Sequence, residues 1–329
     1  MRDVLQWIDG ADVKGTGTPF DNINPSNGQK ICALSEATPD QVALAVNAAR
    51  QAFELGEWRY ASHADRRATL RRMAQAIRDN ADRLIDLQTT EGGMVPAQVR
   101  GHVMGAAGWF DYYADFLTRE GGENYRQLGT ALALVEREPI GVCALFTPWN
   151  VPVGLSALKL APALAAGNSV VLKPSEETPM VTRALVDLLN GIGLPKGVLN
   201  YVNGRGAITG AALVDAPCVD MISFTGGSLA GSAVAVAAAK RHIPCVMELG
   251  GKSATIVFDD ADLEATISGT AMAIFGNNGE ACLAGSRILL QDNIANDFIA
   301  GFQKRAETMV VGDPKSEGVA MGPMISAQH

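Results

Sequence analysis

Beyond Ile140, short apolar runs alternate with longer segments in which apolar residues recur at helical spacing. Short runs of this kind are typical of strands buried in a parallel sheet, and the longer segments predict the helices that connect them. Regular strand–helix alternation requires right-handed crossovers, so the pattern predicts a doubly wound α/β sheet. The predicted strands are 141–147, 168–173, 198–202, 220–224 and 244–248, and the predicted helices are 153–166, 179–190, 206–215 and 228–240.

A second, shorter alternation begins at Ser253. One strand–helix–strand–helix set is too small for a complete domain, so we expect an incomplete α/β unit beside the first sheet. The predicted elements are a strand at 253–258, a helix at 261–276, a strand at 286–291 and a helix at 292–309.

The part of the chain before Ile140 combines turn signals with helical periodicity. The turn signal at 24–28 (NPSNG) predicts short strands joined by loops, and residues 121–139 predict an exposed excursion with a strand at 131–137. The aromatic cluster at 109–113 is typical of a protein core, with a substrate channel as the less common alternative. Helical stretches are predicted from Pro39 to about Leu55, from His63 to about Thr90 and from Pro96 to Leu117.

The composition is that of a folded, acidic protein, with 329 residues, 47% hydrophobic and 19% charged, a net charge of −8 and a pI near 5.1. This length is enough for two domains, and the balance argues against disorder over most of the chain. A nucleic-acid-binding protein needs a basic surface, so the negative charge argues against that class. The longest apolar stretch, 154–172, contains Lys159 and Pro162 and is a poor membrane span.

Five cysteines are spread along the chain without a Cys-x-x-Cys pair, which argues against a thiolate zinc site. An odd number of unclustered cysteines favours a reducing compartment, and residues 1–7 contain no apolar signal core. The sequence therefore predicts a cytoplasmic protein. Four cysteines lie within or beside apolar runs, where this residue is usually a small buried hydrophobe, namely Cys32, Cys143, Cys218 and Cys245.

Cys282 differs from the other cysteines in its surroundings. It lies in a loop rich in glycine and alanine, between a predicted helix and a predicted strand, where a thiol can face a cleft. Glu248 stands 34 residues earlier and ends an apolar strand. Removal from water at that strand end would raise the pKa of the carboxylate and help it to act as a base, and the alternative is a carboxylate in a solvated turn. The pair thus offers a nucleophile and a base.

Glycine-rich segments follow the later strands, and in doubly wound sheets ligands bind beyond the carboxyl ends of the strands. Gly204, Gly206 and Gly210 have the spacing G-x-G-x-x-x-G, one residue longer than the dinucleotide fingerprint, and a plain glycine turn is the alternative. The segment 224–228 (FTGGS) opens the next predicted helix, whose free amides would bind a pyrophosphate.

Lys173 and Glu176 follow the second predicted strand. A carboxylate at this place accepts hydrogen bonds from the hydroxyls of an adenosine ribose. The alternative is helix capping by Ser175 or Thr178, with Glu176 placed favourably toward the helix dipole. The two roles are compatible.

Taken together, these motifs resemble the NAD(P)-dependent aldehyde dehydrogenase superfamily. The resemblance runs from Asn24 to the end of the chain, and the order and spacing of the motifs are highly specific. It implies a Rossmann-like NAD domain at 1–249, with a hairpin at 119–139 that serves oligomerisation, and a truncated cysteine-bearing catalytic domain at 250–329. The matching segments are 146–150 (FTPWN), 173–176 (KPSE), 224–226 (FTG), 248–252 (ELGGK) and 279–287 (GEACLAGSR).

The resemblance also implies oxidation of an aldehyde to a carboxylic acid. The thiolate of Cys282 would attack the aldehyde carbon, and the side-chain amide of Asn150 with the main-chain amide of Cys282 would hold the oxyanion. Glu248 would then activate the water that releases the acid from a thioester. NAD is the preferred cofactor and NADP the alternative, since Glu176 would repel a 2′-phosphate. The implied cofactor-binding residues are Trp149, Lys173, Glu176, Gly206, Gly210, Phe224, Thr225, Gly226, Ser228, Leu249 and Gly250.

The implied partners are a small aldehyde and further copies of the full-length protein, in a dimer or tetramer, with no nucleic acid, membrane or metal.

Apolar side chains near Asn150 and Cys282 indicate a substrate mouth of modest bulk. The loop around Cys282 looks like versions found in semialdehyde dehydrogenases of aromatic degradation. The candidate substrate-pocket residues are Val151, Leu155, Leu158, Ala281 and Leu283.

Two departures from the family pattern bear on these roles. The family often has serine directly after the equivalent of Gly226, where this chain has Gly227 followed by Ser228. Family members also extend further, and their C-terminal part normally completes the substrate tunnel, so a nucleotide-binding module without catalysis is one alternative. A coenzyme-A-acylating enzyme is another, although Glu248 argues against it because a hydrolytic base is useful only when water is the acceptor.

Overall fold

The computed structural model describes residues 4–129 and 131–329. Within them, each segment predicted as a strand or helix after Ile140 forms an element of that type. The strands are β1 (Gln6–Ile8), β2 (Ala11–Val13), β3 (Pro19–Ile23), β4 (Lys30–Ser35), β5 (Glu123–Leu128), β6 (Ala131–Val135), β7 (Val142–Thr147), β8 (Ser169–Pro174), β9 (Leu199–Tyr201), β10 (Met221–Gly226), β11 (Cys245–Leu249), β12 (Ala254–Val257) and β13 (Arg287–Leu290). The helices are α1 (Pro39–Leu55), α2 (His63–Asp79), α3 (Ala81–Gly92), α4 (Pro96–Phe116), α5 (Pro152–Ala165), α6 (Pro179–Asn190), α7 (Ala211–Asp215), α8 (Ser228–Lys240), α9 (Leu263–Phe275) and α10 (Ala295–Glu307).

The main sheet has the strand order β11-β10-β7-β8-β9-β1-β2, in which β11 to β9 are parallel and β1 and β2 are antiparallel additions at one edge. Successive residues of a strand point to opposite faces of a sheet. Ala144 and Phe146 accordingly share an apolar cluster with α1, α7 and α8, whereas Cys143 and Leu145 share one with α2 to α6. Helices therefore cover both faces, which confirms the predicted doubly wound α/β fold.

The second α/β unit is small. Strands β12 and β13 form a separate parallel pair, and α9 and α10 pack on it through Val257, Ile267 and Phe298. Residues 250–253 connect this unit to β11. The predicted domain boundary at residue 249 stays a prediction.

Strands β5 and β6 pair in antiparallel fashion within the segment 119–139. The predicted role of this hairpin in oligomerisation stays a prediction. The apolar stretch 154–172 divides between α5 and β8, which are both part of the main fold. In the part of the chain that the structure describes, no helix combines the length and the apolar content that crossing a bilayer requires.

The helical stretch predicted from His63 to about Thr90 is divided between two helices, α2 and α3. Asn80 lies between them and leaves the helical region of backbone conformation, with φ −111° and ψ 16°. Its Nδ2 donates a hydrogen bond to the main-chain oxygen of Ala76 at 2.9 Å. Asparagine side chains compete for backbone partners in this way and favour helix ends.

The aromatic cluster at 109–113 is core only in part. Phe110 is fully buried, but Trp109 is 38% and Tyr112 is 57% exposed. Neighbouring residues of a helix point about 100° apart, so these consecutive positions of α4 cannot all face the core.

Candidate active site

A cavity of about 610 Å³, termed here the large cavity, opens at the carboxyl ends of β7, β8 and β10. A second cavity of about 260 Å³, the small cavity, adjoins it. The two cavities share part of their lining and lie at the sheet edge where ligands bind in doubly wound folds. The residues that line both cavities are Pro148, Trp149, Thr225, Gly226 and Gly227.

Most of the residues predicted to bind the cofactor line the large cavity. Leu249 and Gly250 line the small cavity instead. Ser228 lines neither, because Gly227 takes the lining position in the turn and Ser228 begins α8 as an exposed residue. The predicted residues that do line the large cavity are Trp149, Lys173, Glu176, Gly206, Gly210, Phe224, Thr225 and Gly226.

Lys173 and Glu176 form the charged wall of the large cavity. The buried Nζ of Lys173 donates to the main-chain oxygen of Pro174 at 2.7 Å and lies 3.8 Å from Oε2 of Glu176. Burial lowers the pKa of Lys173, and the nearby carboxylates of Glu176 and Glu36 oppose this effect. Oε1 of Glu176 accepts a long hydrogen bond of 3.5 Å from the amide of Gly206, so its carboxylate is held at the mouth of the cavity.

The helix capping predicted for Ser175 or Thr178 is wrong. Thr178 precedes α6, but its side chain makes no capping hydrogen bond. The carboxylate of Glu91 accepts hydrogen bonds from the amides of Met180 at 2.8 Å and Val181 at 2.7 Å instead. Because Glu91 belongs to the distant helix α3, no local pattern in the sequence indicates this cap.

The predicted helix 206–215 begins as a π-helical turn, Gly206–Gly210, before it continues as α7. The amide of Gly210 bonds to the main-chain oxygen of Arg205, five residues earlier, at 3.2 Å. Gly204 has φ 152°, and a Cβ there would lie 2.0 Å from Oγ1 of Thr209. The glycine spacing therefore serves a tight turn against the large cavity, and glycine is required at position 204.

Cys282, Glu248 and Asn150 all line the small cavity. They come from the loop before β13, from β11 and from the residues just before α5, respectively. The side chains of Cys282 and Glu248 are exposed. The expected removal of Glu248 from water is therefore wrong, because β11 is the outermost strand of the main sheet in the described part of the chain and none of its residues is buried there.

Asn150 is buried, and its Nδ2 donates a hydrogen bond to the main-chain oxygen of Glu280 at 2.6 Å. Glu280 is itself buried, and its Oε1 accepts from the amide of Ile325 at 3.0 Å. Burial raises the pKa of Glu280 to about 7, although the hydrogen bond from Ile325 opposes this. Sequence analysis missed Glu280, whose only local signal is its position two residues before Cys282.

A buried lysine lies near the predicted base. Nζ of Lys159 donates to Oγ of Ser223 at 2.7 Å. Burial lowers the pKa of Lys159 to about 8, and the charge of Glu248 opposes the shift. Sequence analysis treated Lys159 only as an interruption of an apolar stretch. The signal that could have found it is a single charge in the otherwise apolar helix α5, because unpaired lysines are rarely buried.

The predicted substrate pocket is brought together only in part. Leu155 and Ala281 line the small cavity, whereas Val151, Leu158 and Leu283 do not. Val151 turns toward its own helix, where its Cγ1 would lie 2.9 Å from a Cβ at position 154. Leu158 lies almost one helical turn beyond Leu155. Leu283 is 77% exposed and faces solvent. Lys252 and His329, which sequence analysis did not assign to the pocket, also line the small cavity.

The sequence of this chain is similar to those of known proteins. Residues 12–329 match the model of the aldehyde dehydrogenase family. An aldehyde dehydrogenase from Aspergillus niger is 39% identical over 322 residues, which are 97% of this chain and 65% of that protein. A 2-hydroxymuconic semialdehyde dehydrogenase from Pseudomonas sp. strain CF600 is 38% identical over an alignment of 338 positions, covering 100% of this chain and 69% of that protein.

A solved structure shows the same likeness in three dimensions. The betaine aldehyde dehydrogenase from Staphylococcus aureus, in complex with NAD+, has a TM-score of 0.96 and 34% identity, and the match covers 99% of this chain and 65% of that one. The chain thus spans 65% of the length of the Aspergillus and Staphylococcus relatives. Because the family model and the relatives match nearly the whole chain, this protein belongs to the aldehyde dehydrogenase family.

Proposed function

We propose that this chain carries the reactive cysteine and the cofactor cleft of an NAD-dependent aldehyde dehydrogenase, which oxidises an aldehyde to a carboxylic acid. The observation that carries the proposal is that Cys282, Glu248 and Asn150 line one cavity, which adjoins the large cavity. A nucleophile, a base and an amide donor around one space are the groups that oxidation through an acyl-enzyme requires.

The large cavity suits NAD, and the Staphylococcus relative is described in complex with NAD+. Thr225 lines both cavities, and within the described residues its buried Oγ1 has no hydrogen-bond partner. Lys173 and Glu176 offer an ammonium and a carboxylate to ribose hydroxyls. The carboxylate of Glu176 would repel a 2′-phosphate, which favours NAD over NADP. Bound NAD supplies the acceptor for a hydride.

In the proposed first step, the thiolate of Cys282 attacks the aldehyde carbon, and a carbon–sulfur bond forms while the carbonyl oxygen takes the negative charge. The side-chain amide of Asn150 and the main-chain amide of Cys282 donate hydrogen bonds to this oxygen. When the oxyanion collapses, a hydride would leave the carbon for the acceptor that bound NAD supplies, and a thioester would remain on Cys282.

Glu248 then takes a proton from a water molecule as the water attacks the thioester carbon. The carbon–sulfur bond breaks, the carboxylic acid leaves and Cys282 returns as a thiolate. Because Glu248 lines the same cavity as Cys282, water is the proposed acyl acceptor, in preference to coenzyme A.

For the substrate, we propose a semialdehyde that carries an anionic group. The Pseudomonas relative is named for 2-hydroxymuconic semialdehyde, whereas the Staphylococcus relative is named for betaine aldehyde, a cation. Lys252 is exposed and lines the small cavity, so its ammonium is available to pair with an anionic group of the substrate. Leu155 and Ala281 offer an apolar surface of modest size to the rest of the molecule.

The test is NADH formation by the purified protein with a panel that contains semialdehydes, betaine aldehyde and simple aliphatic aldehydes. Cys282→Ala should abolish turnover, while Cys218→Ala, at a half-buried cysteine outside both cavities, should retain it. Equal rates in wild type and Cys282→Ala would reject the nucleophile. NAD binding without NADH formation would indicate a nucleotide-binding module. Product formation that depends on coenzyme A would indicate acyl transfer to that thiol. A higher kcat/KM with NADP than with NAD would reverse the cofactor preference.

We also propose a homo-oligomer, a dimer or tetramer, and a cytoplasmic location for the full-length form. The hairpin of β5 and β6 supports the first proposal, because Leu132, Leu134 and Val135 expose apolar side chains there. Exposed apolar groups clustered on one element favour association.

A further inference from the structure

The loop that carries Cys282 is fastened to the segment 322–325 by buried side chains. Asn278 adopts the left-handed backbone conformation, with φ 56°. Its Oδ1 accepts from the amide of Gly322 at 3.0 Å, and its Nδ2 donates to the main-chain oxygens of Gly93 and Pro323, both at 3.1 Å. The start of the loop is therefore held on two sides.

Glu280 makes the next attachment and also reaches toward the proposed oxyanion site. Its Oε1 accepts from the amide of Ile325 at 3.0 Å, and its main-chain oxygen accepts from Nδ2 of Asn150 at 2.6 Å. Its side chain is 0% exposed. One residue thus connects the anchoring segment at Ile325 with the amide of Asn150.

We propose that Glu280 is a positioning residue whose anchored carboxyl group fixes the main-chain carbonyl that orients the side-chain amide of Asn150. The inference rests on the proposed function, in which that amide holds the oxyanion. A carboxamide has two N–H donors in one plane. When the carbonyl of Glu280 takes one of them, the plane of the amide is set, and the second N–H of Asn150 has a fixed direction for an oxygen atom in the small cavity.

The surroundings of Glu280 indicate that its side chain anchors the loop through an acceptor oxygen and not through a negative charge. Among the residues that the structure describes, none is a hydrogen-bond partner of the buried Oε2, and Nε2 of His329 lies 3.7 Å from Oε1. A buried charge with so few partners is costly, which agrees with the raised pKa of Glu280, at about 7. Glutamine keeps the carbonyl acceptor for the amide of Ile325, so it should replace glutamate with little loss, whereas alanine should not.

The test is a double-mutant cycle on kcat, measured with NAD and an accepted aldehyde. Asn150→Ala should lower kcat about 10²–10³-fold, as the loss of one oxyanion donor does. Glu280→Ala should lower kcat about tenfold while the KM for the aldehyde stays nearly unchanged, since the effect is confined to the transition state. The double variant should be no slower than Asn150→Ala, because a positioning effect disappears with the group that is positioned.

Two further variants sharpen the cycle. Glu280→Gln should stay within about threefold of wild-type kcat. Glu317→Ala, at an exposed carboxylate shortly before the anchoring segment, controls for a general loss of charge and should not change kcat. If Glu280→Ala does not fold, Glu280→Asp, which withdraws the carboxylate from Ile325 by one methylene, takes its place in the cycle.

Three results would overturn the inference: multiplied losses in the double variant, wild-type kcat in Glu280→Ala, or a Glu280→Gln variant as slow as Glu280→Ala. Multiplied losses would show that Glu280 acts independently of Asn150, as a residue that only supports the fold would. A wild type that forms no NADH would instead overturn the proposed function, so the two failures are distinguishable.

Discussion

The ammonium of Lys159 donates a hydrogen bond to the hydroxyl of Ser223 at 2.7 Å, on the strand that neighbours the one carrying Glu248. Burial lowers the pKa of Lys159 to about 8, and the charge of Glu248 opposes that shift. A buried cation thus lies within electrostatic reach of the proposed base. Burial of the charged form of Lys159 in an apolar helix lowers the free energy of unfolding, and the size of this loss depends on pH.

We predict that Lys159→Met stabilises the protein more at pH 7 than at pH 10. The pKa of Lys159 falls from 10.5 to about 8 on folding, so the unfolded chain binds more protons between these values and stability rises with pH across that window. Methionine removes this dependence. Thermal unfolding should show a Tm difference from wild type that shrinks by about 2 °C or more as the pH rises. A constant difference would contradict the prediction, and Lys304→Met, at an exposed lysine, is the control.

Glu91→Gln should reveal a pH effect of the opposite sign. Burial raises the pKa of Glu91 from 4.5 to about 8, against the opposing hydrogen bonds from Val181 and Met180. The folded protein therefore binds the extra proton between these values, and its stability falls as the pH rises through this window. The Tm of wild type relative to Glu91→Gln should be highest near pH 5 and should decline toward pH 8. Curves of Tm against pH that run parallel for wild type and Glu91→Gln would disprove this. The control is Glu264→Gln, which makes the same change at an exposed position of α9.

Glu248→Gln should separate the two halves of the proposed reaction. The steady-state rate should fall about 10²–10⁴-fold, because a general base is lost, while a burst of NADH of about one per site remains. Cys282→Ala should show no burst, because it cannot form the thioester. Stopped-flow measurement of NADH checks both variants. A Glu248→Gln protein without a burst would mean that Glu248 acts before hydride loss.

Gly226→Ala should weaken NAD binding. A Cβ at this position would lie 2.7 Å from Cζ of Phe224, so either the turn or the ring must move at the wall of the large cavity. Overpacking of this kind costs about 1–3 kcal/mol, which corresponds to a rise in Kd of about 5- to 150-fold when the whole cost falls on the bound state. Calorimetric titration with NAD measures this. Gly105→Ala, where a Cβ meets no atom within 4 Å, is the control, and an unchanged Kd in Gly226→Ala would refute the argument.

Leu134→Asp should lower the oligomeric state of the full-length form. Leu134 is 60% exposed on β6, and a charge there would have to be desolvated on association. Sedimentation velocity should show a smaller species for this variant. Leu55→Asp, at a leucine that is 81% exposed at the end of α1, should not change the assembly. An unchanged species in Leu134→Asp would remove the hairpin from the interface.

The sequence predicted that the candidate chemistry meets at one sheet edge, and Cys282, Glu248 and Asn150 line one cavity there. Glu248 and Asn150 follow or end parallel strands, and parallel strands present their carboxyl ends at one edge, so their meeting follows from the alternation of elements. The same reasoning missed Glu280, Lys159 and Glu91. Their partners are 45, 64 and about 90 residues away in the chain, and no local pattern links such positions.

The sequence by itself determined the order of strands and helices, the doubly wound arrangement and the motifs that face the sheet edge, because periodicity and turn chemistry act over a few residues. Only the tertiary structure decided that Glu248 is open to solvent on an edge strand, that Gly227 replaces Ser228 in the cavity wall and that Leu283 points outward. Burial and side-chain direction depend on which distant segments pack together, and that information exists only once the chain has folded.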